Sequence, residues 1–137
     1  MSVVVAYQET GVGNLALKEA AKEANLRETS MTVVNVPEGV DIDVIEANKV
    51  RLSNEIAEVL RREGDGHPVD WTLQVITGED AAEAVLDLVA GTDAELLVVG
   101  ARRRSRVGKL LIGSVTQSII LDADIPVLVV KTPASEK

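Results

Sequence analysis

Residues 69–100 read VDWTLQVITGEDAAEAVLDLVAGTDAELLVVG, and this stretch decides the fold. It opens with alternating apolar and polar side chains, beginning at Val69 and Trp71, which is the period-two pattern of a half-buried strand. Residues 79–90 then place their apolar side chains on one face of a helix, and the run LLVVG at 96–100 is typical of a buried strand. Two strands joined by a helix in this way pack as a right-handed crossover between parallel strands.

The same alternation of strand and helix continues along the chain on both sides of this unit. Strands are predicted at 3–7, 31–36, 69–77, 96–100 and 126–130, and helices at 14–25, 41–63, 79–90 and 114–121. We therefore predict an α/β fold, a Rossmann-like, doubly wound domain with a five-stranded parallel sheet in the order 3-2-1-4-5 and helices on both faces. The single domain is expected to span 1–137, with its core at 3–131 and a polar tail at 132–137.

The composition excludes several classes of site. The chain has 137 residues and no cysteine, which rules out disulfides and thiolate metal ligands, and its one histidine, His67, cannot form a histidine pair. A formal net charge of −8 and only two aromatic residues argue against nucleic-acid binding. Apolar runs fall short of the roughly 18 residues of a membrane span, and the N-terminus lacks a signal-peptide pattern. We expect a cytoplasmic protein.

One short segment contrasts with this acidity. Residues 98–115 read VVGARRRSRVGKLLIGSV, and five cationic side chains follow the predicted fourth strand. Gly100 allows a sharp turn after that strand, while Gly113 and Ser114 are expected to begin the last helix, where free backbone N–H groups and the helix dipole favour anions. The cationic residues are Arg102, Arg103, Arg104, Arg106 and Lys109.

Two interpretations of this segment remain open from the residues alone. In the first it is an anion-binding loop at the carboxyl end of the sheet, which is where open α/β sheets bind ligands. In the second it is a solvated basic loop that pairs with acidic helices, and Ser114 is an ordinary N-cap.

The chain resembles the universal stress protein family from residue 3 to residue 131. The block ITGEDAAEAVLDLVAGTDAELLVVG (76–100), including Gly78, is similar to the third-strand to fourth-strand region of that family. The block GKLLIGSVTQSIILDADIPVLVVK (108–131) is similar to its C-terminal region. The resemblance implies the doubly wound fold and a role in stress response.

The resemblance also implies a site for ATP or another adenine nucleotide. Nucleotide-binding members share the pattern G-x2-G-x9-G-[S/T], of which Gly100, Gly113 and Ser114 supply the first and last positions. Arg103 stands where the second glycine is expected, either as a phosphate clamp or as a block, and Gln8 stands where the family tends to have an aspartate. The predicted site residues are Ala6, Gln8, Val36, Val99, Gly100, Ala101, Arg103, Gly113, Ser114, Val115 and Thr116.

Two functions fit these residues. The chain is either a nucleotide-binding regulatory protein without rapid turnover or a family member that does not bind ATP and serves as a dimeric interaction module. In both cases the resemblance implies a homodimer through the apolar last strand, Pro126 to Lys131. A receiver domain fits less well, because it needs an acidic cluster after the first strand and an aspartate after the third, and YQET (7–10) and VITG (75–78) supply only Glu9. An ATP pyrophosphatase fits less well, because QETGVGN (8–14) is a poor version of its Ser/Gly-rich loop. Within it, GVGN (11–14) is a weak dinucleotide fingerprint that we interpret as a flexible turn.

Overall fold

A parallel sheet organises the computed structural model, which describes residues 1–37, 42–63, 68–77, 80–103 and 110–132. In the described residues the strands are β1 (Ser2–Ala6), β2 (Ser30–Asn35), β3 (Trp71–Val75), β4 (Ala94–Arg103), β5 (Leu110–Leu111) and β6 (Val127–Lys131). The helices are α1 (Gly11–Leu26), α2 (Ile42–Glu63), α3 (Ala81–Ala90) and α4 (Ser114–Asp122).

The strand order confirms the predicted topology. The five parallel strands run β3-β2-β1-β4-β6, so that β6 is the predicted fifth strand and β1 lies in the centre. The strand β5 was not predicted. It pairs antiparallel with the end of β4, where Arg102 faces Leu111 and Arg103 faces Leu110.

The sheet has a hydrophobic layer on each face because successive side chains of its central strands point in opposite directions. Val3 and Val5 pack with α1 and α2, whereas Val4 packs with α3 and α4. All three valines are completely buried. The run VVV therefore carries no alternation, as expected for a strand covered on both sides.

The helix starts differ from the predicted ones where capping side chains intervene. α1 begins at Gly11, and not at residue 14, because the hydroxyl of Thr10 accepts a hydrogen bond from the Gly13 N–H at 3.0 Å. α3 begins at Ala81, one residue after its N-cap Asp80.

The basic segment also differs from the prediction. β4 does not end at Gly100 but continues to Arg103, because its last residues pair with β5. The loop predicted between residues 100 and 113 is therefore partly strand. Several predicted features lie outside the described residues, namely Asp41 at the start of the long helix, His67, Gly78, Arg104, Arg106, Lys109 and the tail from residue 133.

Candidate functional site

An open cleft of about 750 Å³ lies at the carboxyl ends of β1, β2 and β4. This is the edge at which parallel α/β sheets bind ligands. Its described lining residues are Ala6, Tyr7, Gln8, Thr10, Gly11, Val12, Gly13, Val34, Val36, Ala81, Val85, Val99, Gly100, Arg102, Gly113, Ser114, Val115, Thr116, Ile119 and Thr132.

One wall of the cleft is the tight turn between β1 and α1. The N–H of Thr10 donates to the carbonyl oxygen of Gln8 at 2.8 Å, and the Thr10 hydroxyl caps α1. Gly13 lies so close to this turn that a Cβ atom there would be 1.8 Å from the carbonyl oxygen of Gln8. Only glycine fits at residue 13 with this backbone. GVGN (11–14) forms the first turn of α1, so our prediction of a flexible turn was wrong.

The end of β4 meets both neighbouring helices. A Cβ atom at Gly100 would lie 3.0 Å from Cγ2 of Val12 in α1, which shows how closely the strand approaches that helix. On the other side the hydroxyl of Thr116 in α4 donates to the carbonyl oxygen of Gly100 at 3.2 Å. Gly100 is therefore close to α1 on one side and hydrogen-bonded to α4 on the other.

The start of α4 presents backbone donors to the cleft. Gly113 is its N-cap and provides no side-chain cap, and Ser114, Val115 and Thr116 line the cleft. The first N–H groups of a helix have no partner within the helix, so they are available to a ligand. Ser114 is the first helical residue and not the N-cap, which leaves its exposed hydroxyl as a further donor.

The electrostatics of the cleft favour an anion. The starts of three helices contribute lining residues, Gly11 from α1, Ala81 from α3 and Ser114 from α4. Each helix start carries a partial positive charge. Arg102 adds a full charge, and none of the described lining residues is Asp or Glu.

The remaining described lining is largely apolar. Val34 lies near the end of β2, Val36 follows that strand directly, and Val85 comes from α3. The cleft therefore combines an apolar wall with a polar, positively polarised rim. Such a combination suits a ligand that has an apolar part and an anionic part.

Tyr7, between the end of β1 and Gln8, is held in place by burial and by hydrogen bonds. Its side chain is 2% exposed, and its hydroxyl donates to Oδ1 of Asn14 at 2.9 Å. Nδ2 of Asn35 donates to the Tyr7 carbonyl oxygen at 3.0 Å. Burial of the phenol, followed by the negative charges of Glu9 and Glu55, raises the pKa of Tyr7 to about 12. The phenol is therefore neutral and serves as a structural donor.

The structure brings most of the predicted site residues together. Those that line the cleft are Ala6, Gln8, Val36, Val99, Gly100, Gly113, Ser114, Val115 and Thr116. Ala101 does not, because it is 2% exposed and packs into the sheet. The backbone of Arg103 pairs with Leu110, and its side chain lies outside the described residues.

Some lining residues were not among the predicted site residues. Thr10 to Gly13 lie in the turn 8–13 after the first strand, where the rule for open α/β sheets predicts a ligand. They were not named individually, because the close approach of Gly13 to Gln8 is a contact that no periodicity reports. Thr132 was assigned to the polar tail but lines the cleft. Arg102 was noted as a cation and not as a site residue.

The described ranges show neither a metal centre nor a membrane-spanning helix. No three His, Cys, Asp or Glu residues there are grouped in a way that could hold a metal ion. Within the same ranges, none of the helices combines the length and the apolar character needed to cross a membrane.

Comparison with known proteins gives one consistent result. Residues 1–131 match the model of the universal stress protein family. A universal stress protein of Mycolicibacterium smegmatis is 36% identical over 129 residues, covering 94% of this chain and 96% of that protein. A universal stress protein structure from Archaeoglobus fulgidus is 32% identical with a TM-score of 0.75, covering 95% of this chain and 97% of the other. Another from the same organism, in complex with dAMP, is 26% identical with a TM-score of 0.70, covering 95% and 96%.

Proposed function

Because the chain belongs to the universal stress protein family, we propose that its cleft binds an adenine nucleotide and that the protein acts in stress response by binding or regulation. The cytoplasmic location expected from the sequence stays a prediction. A slow hydrolysis of the bound nucleotide is compatible with this role, but the proposal does not require it.

One observation carries the proposal, namely the polarity of the cleft. A nucleotide has at one end a planar base, whose faces pack on apolar surfaces, and phosphate at the other, and the cleft offers an apolar wall and a rim of three helix starts. The Archaeoglobus fulgidus relative that was solved with dAMP shares the fold of this chain at 26% identity. It supports an adenine nucleotide as the ligand class and does not single out ATP.

The lining residues suggest a role for each part of the cleft. Val34 and Val36 would pack against the base, and the amide of Gln8 would bond a ribose hydroxyl or a base edge. The phosphate would lie at the start of α4, where the hydroxyl of Ser114 and nearby N–H groups donate. Arg102 would balance the phosphate charge from the end of β4.

Binding measurements on the intact protein test this assignment. We expect wild type to bind AMP, ADP or ATP by calorimetry, and mass spectrometry of the purified protein to reveal any nucleotide that it retains. Arg102→Ala should weaken AMP by about 1.5 kcal/mol, or roughly tenfold, because a hydrogen bond to a charged group is lost. It should leave adenosine binding unchanged.

Arg62→Ala is the matched control for this loss of charge. Arg62 is exposed on α2 and pairs with Glu58, and it is not a lining residue of the cleft. Equal losses of AMP affinity in the two variants would show that Arg102 does not contact the bound nucleotide. Arg103→Ala and Arg103→Gly belong in the same series, because a clamp predicts weaker binding and a block predicts stronger binding. If wild type binds no adenine nucleotide, the interaction-module alternative is favoured.

We propose in addition a two-fold homodimer through residues 126–131. β6 is the edge strand beside β4, and its apolar side chains from Val127 to Val130 are only partly buried. An apolar edge strand with unpaired backbone groups favours pairing with a second copy. The exposed Lys131 ends the strand and limits the apolar run.

A further inference from the structure

An ion pair outside the cleft links its β1–α1 wall to α2. Nη1 of Arg51 donates to Oε2 of Glu9 at 2.9 Å, and Nη2 donates to Oε1 at 2.7 Å. The two residues are 42 positions apart in sequence. Two parallel charge-assisted bonds of this kind fix the relative orientation of their partners more strictly than a single contact does.

The position of Glu9 within the turn gives this pair its significance. Gln8 and Thr10 line the cleft on either side of Glu9, whereas Glu9 is not a lining residue and its carboxylate is held by α2. The turn is also rigid within itself, because Gly13 and Asn14 both donate their N–H groups to Thr10, at 3.0 Å and 2.9 Å. The contact of Glu9 with α2 therefore helps to fix the orientation of the whole turn that forms this wall of the cleft.

The other partner, Arg51, lies next to a part of α2 that is anchored in the hydrophobic core. The side chain of Arg51 is exposed, but the next residue, Leu52, is 5% exposed and packs in the same core cluster as Tyr7. Ile56, one turn later, is completely buried. In contrast, Ile45 is the buried residue of the stretch 43–51. Arg51 is thus the point where the well-anchored half of α2 meets the turn between β1 and α1.

We propose that Glu9 and Arg51 are positioning residues, which hold the turn from Gln8 to Gly13 in its ligand-binding geometry without touching the ligand. This inference rests on the proposed function, since it concerns the same cleft. It assigns to α2, which contributes none of the described lining residues, an indirect influence on affinity through the turn.

The charges around the pair provide a way to separate positioning from simple electrostatics. Among the described residues, Glu55 of α2 is a second carboxylate that interacts with the charge of Arg51. Removing the arginine leaves Glu9 and Glu55 unbalanced, and their field opposes an anionic ligand but not a neutral one. A change in turn geometry affects both kinds of ligand.

The experiment uses Glu9→Gln, Arg51→Gln, the double variant, and Glu58→Gln as the control. Glu58 also forms an Arg–Glu pair, with Arg61, but that pair lies within α2 and away from the cleft. For each protein, calorimetry measures the binding of AMP and of adenosine at physiological ionic strength. Hydrogen exchange without ligand measures the protection of the Gly13 and Asn14 amides, which close the turn.

Positioning predicts a specific pattern of results. Both single variants weaken AMP and adenosine by up to about fivefold, the range of an exposed ion pair, and exchange at Gly13 and Asn14 becomes faster. The double variant loses no more adenosine affinity than either single variant, because the two residues act through each other. The Glu58 control behaves as wild type.

Other outcomes overturn the inference. If Glu9→Gln binds adenosine as wild type does and its turn amides keep their protection, the pair is only a surface contact. If Glu9→Gln strengthens AMP, Arg51→Gln weakens it and adenosine is unaffected, the charges act through their field alone. If wild type binds neither compound, the proposed function fails, and the exchange comparison with Glu58→Gln still decides whether the pair holds the turn.

Discussion

Substituting the two glycines at the start of α1 should have opposite effects on stability. Gly11 and Gly13 are two positions apart in the same first turn, but their surroundings differ. A Cβ atom at residue 11 would meet no atom within 4 Å. At residue 13 it would lie 1.8 Å from the carbonyl oxygen of Gln8 and 2.9 Å from the carbonyl carbon.

The magnitudes follow from these contacts. Gly11→Ala should stabilise by up to about 1 kcal/mol, because alanine loses less backbone entropy in a helix. Gly13→Ala has the same entropic gain, but the carbonyl oxygen of Gln8 and the new Cβ atom must move apart by about 1.5 Å to reach a normal van der Waals distance. Overpacking against backbone costs about 3 kcal/mol, so the net loss is about 2 kcal/mol. For 137 residues this corresponds to a fall in Tm of about 7 °C, against a rise of about 3 °C for Gly11→Ala.

Calorimetric melts of wild type and both variants test this prediction. The displaced turn carries Gln8 and Thr10, so Gly13→Ala should also weaken nucleotide binding, while Gly11→Ala should not. Equal shifts of Tm in the same direction would show that residue 13 has no special contact, and the description of the turn would be wrong.

Three further predictions concern the cleft and the edge strand. Tyr7 is the one tyrosine, so an alkaline absorbance titration should report its pKa directly, near 12, and a titration midpoint near 10 would contradict the burial of the phenol. Because burial raises this pKa from 10, the neutral phenol contributes about 3 kcal/mol to the free energy of unfolding below pH 10, and this contribution is lost as the pH rises to 12. Gln8→Asp should tighten adenosine binding by about 1 kcal/mol if the side chain bonds the ligand, and unchanged affinity in calorimetry would place it outside the contact. Val129→Lys should convert the proposed dimer to monomer in light scattering, with Thr72→Lys on the opposite edge strand as control, and a monomeric wild type would refute the dimer.

Periodicity was sufficient to predict the fold because each element repeats its pattern over several residues. Trp71, Leu73 and Val75 alternate with exposed neighbours, and the structure buries them partly, as expected. The two-residue strand β5 has no period to detect, and for that reason the extension of β4 to Arg103 was missed. Short pairings of this kind depend on the tertiary context and not on local sequence.

The candidate site was predictable where a residue type alone implies a role. Gly113 and Ser114 mark a helix start, and the structure places both at the cleft. The contact between Gly13 and Gln8 and the pair between Glu9 and Arg51 could not be predicted, because each depends on how separate elements pack. Arg51 in particular lies in an amphipathic helix among many exposed charges, and nothing in its local sequence distinguishes it.

The central place of β1 in the sheet affects how the chain acquires its structure during synthesis. β1 pairs with β2 soon after both leave the ribosome, but its other neighbour, β4, begins only at residue 94, which is 59 residues after the end of β2 at residue 35. At roughly 5–20 residues per second this interval lasts about 3 to 12 seconds. During it, one edge of the most apolar strand has no partner within its own chain. Crowded polysomes would bring such edges from neighbouring nascent chains together, so the stage before β4 emerges is the one at which this protein is most prone to aggregate.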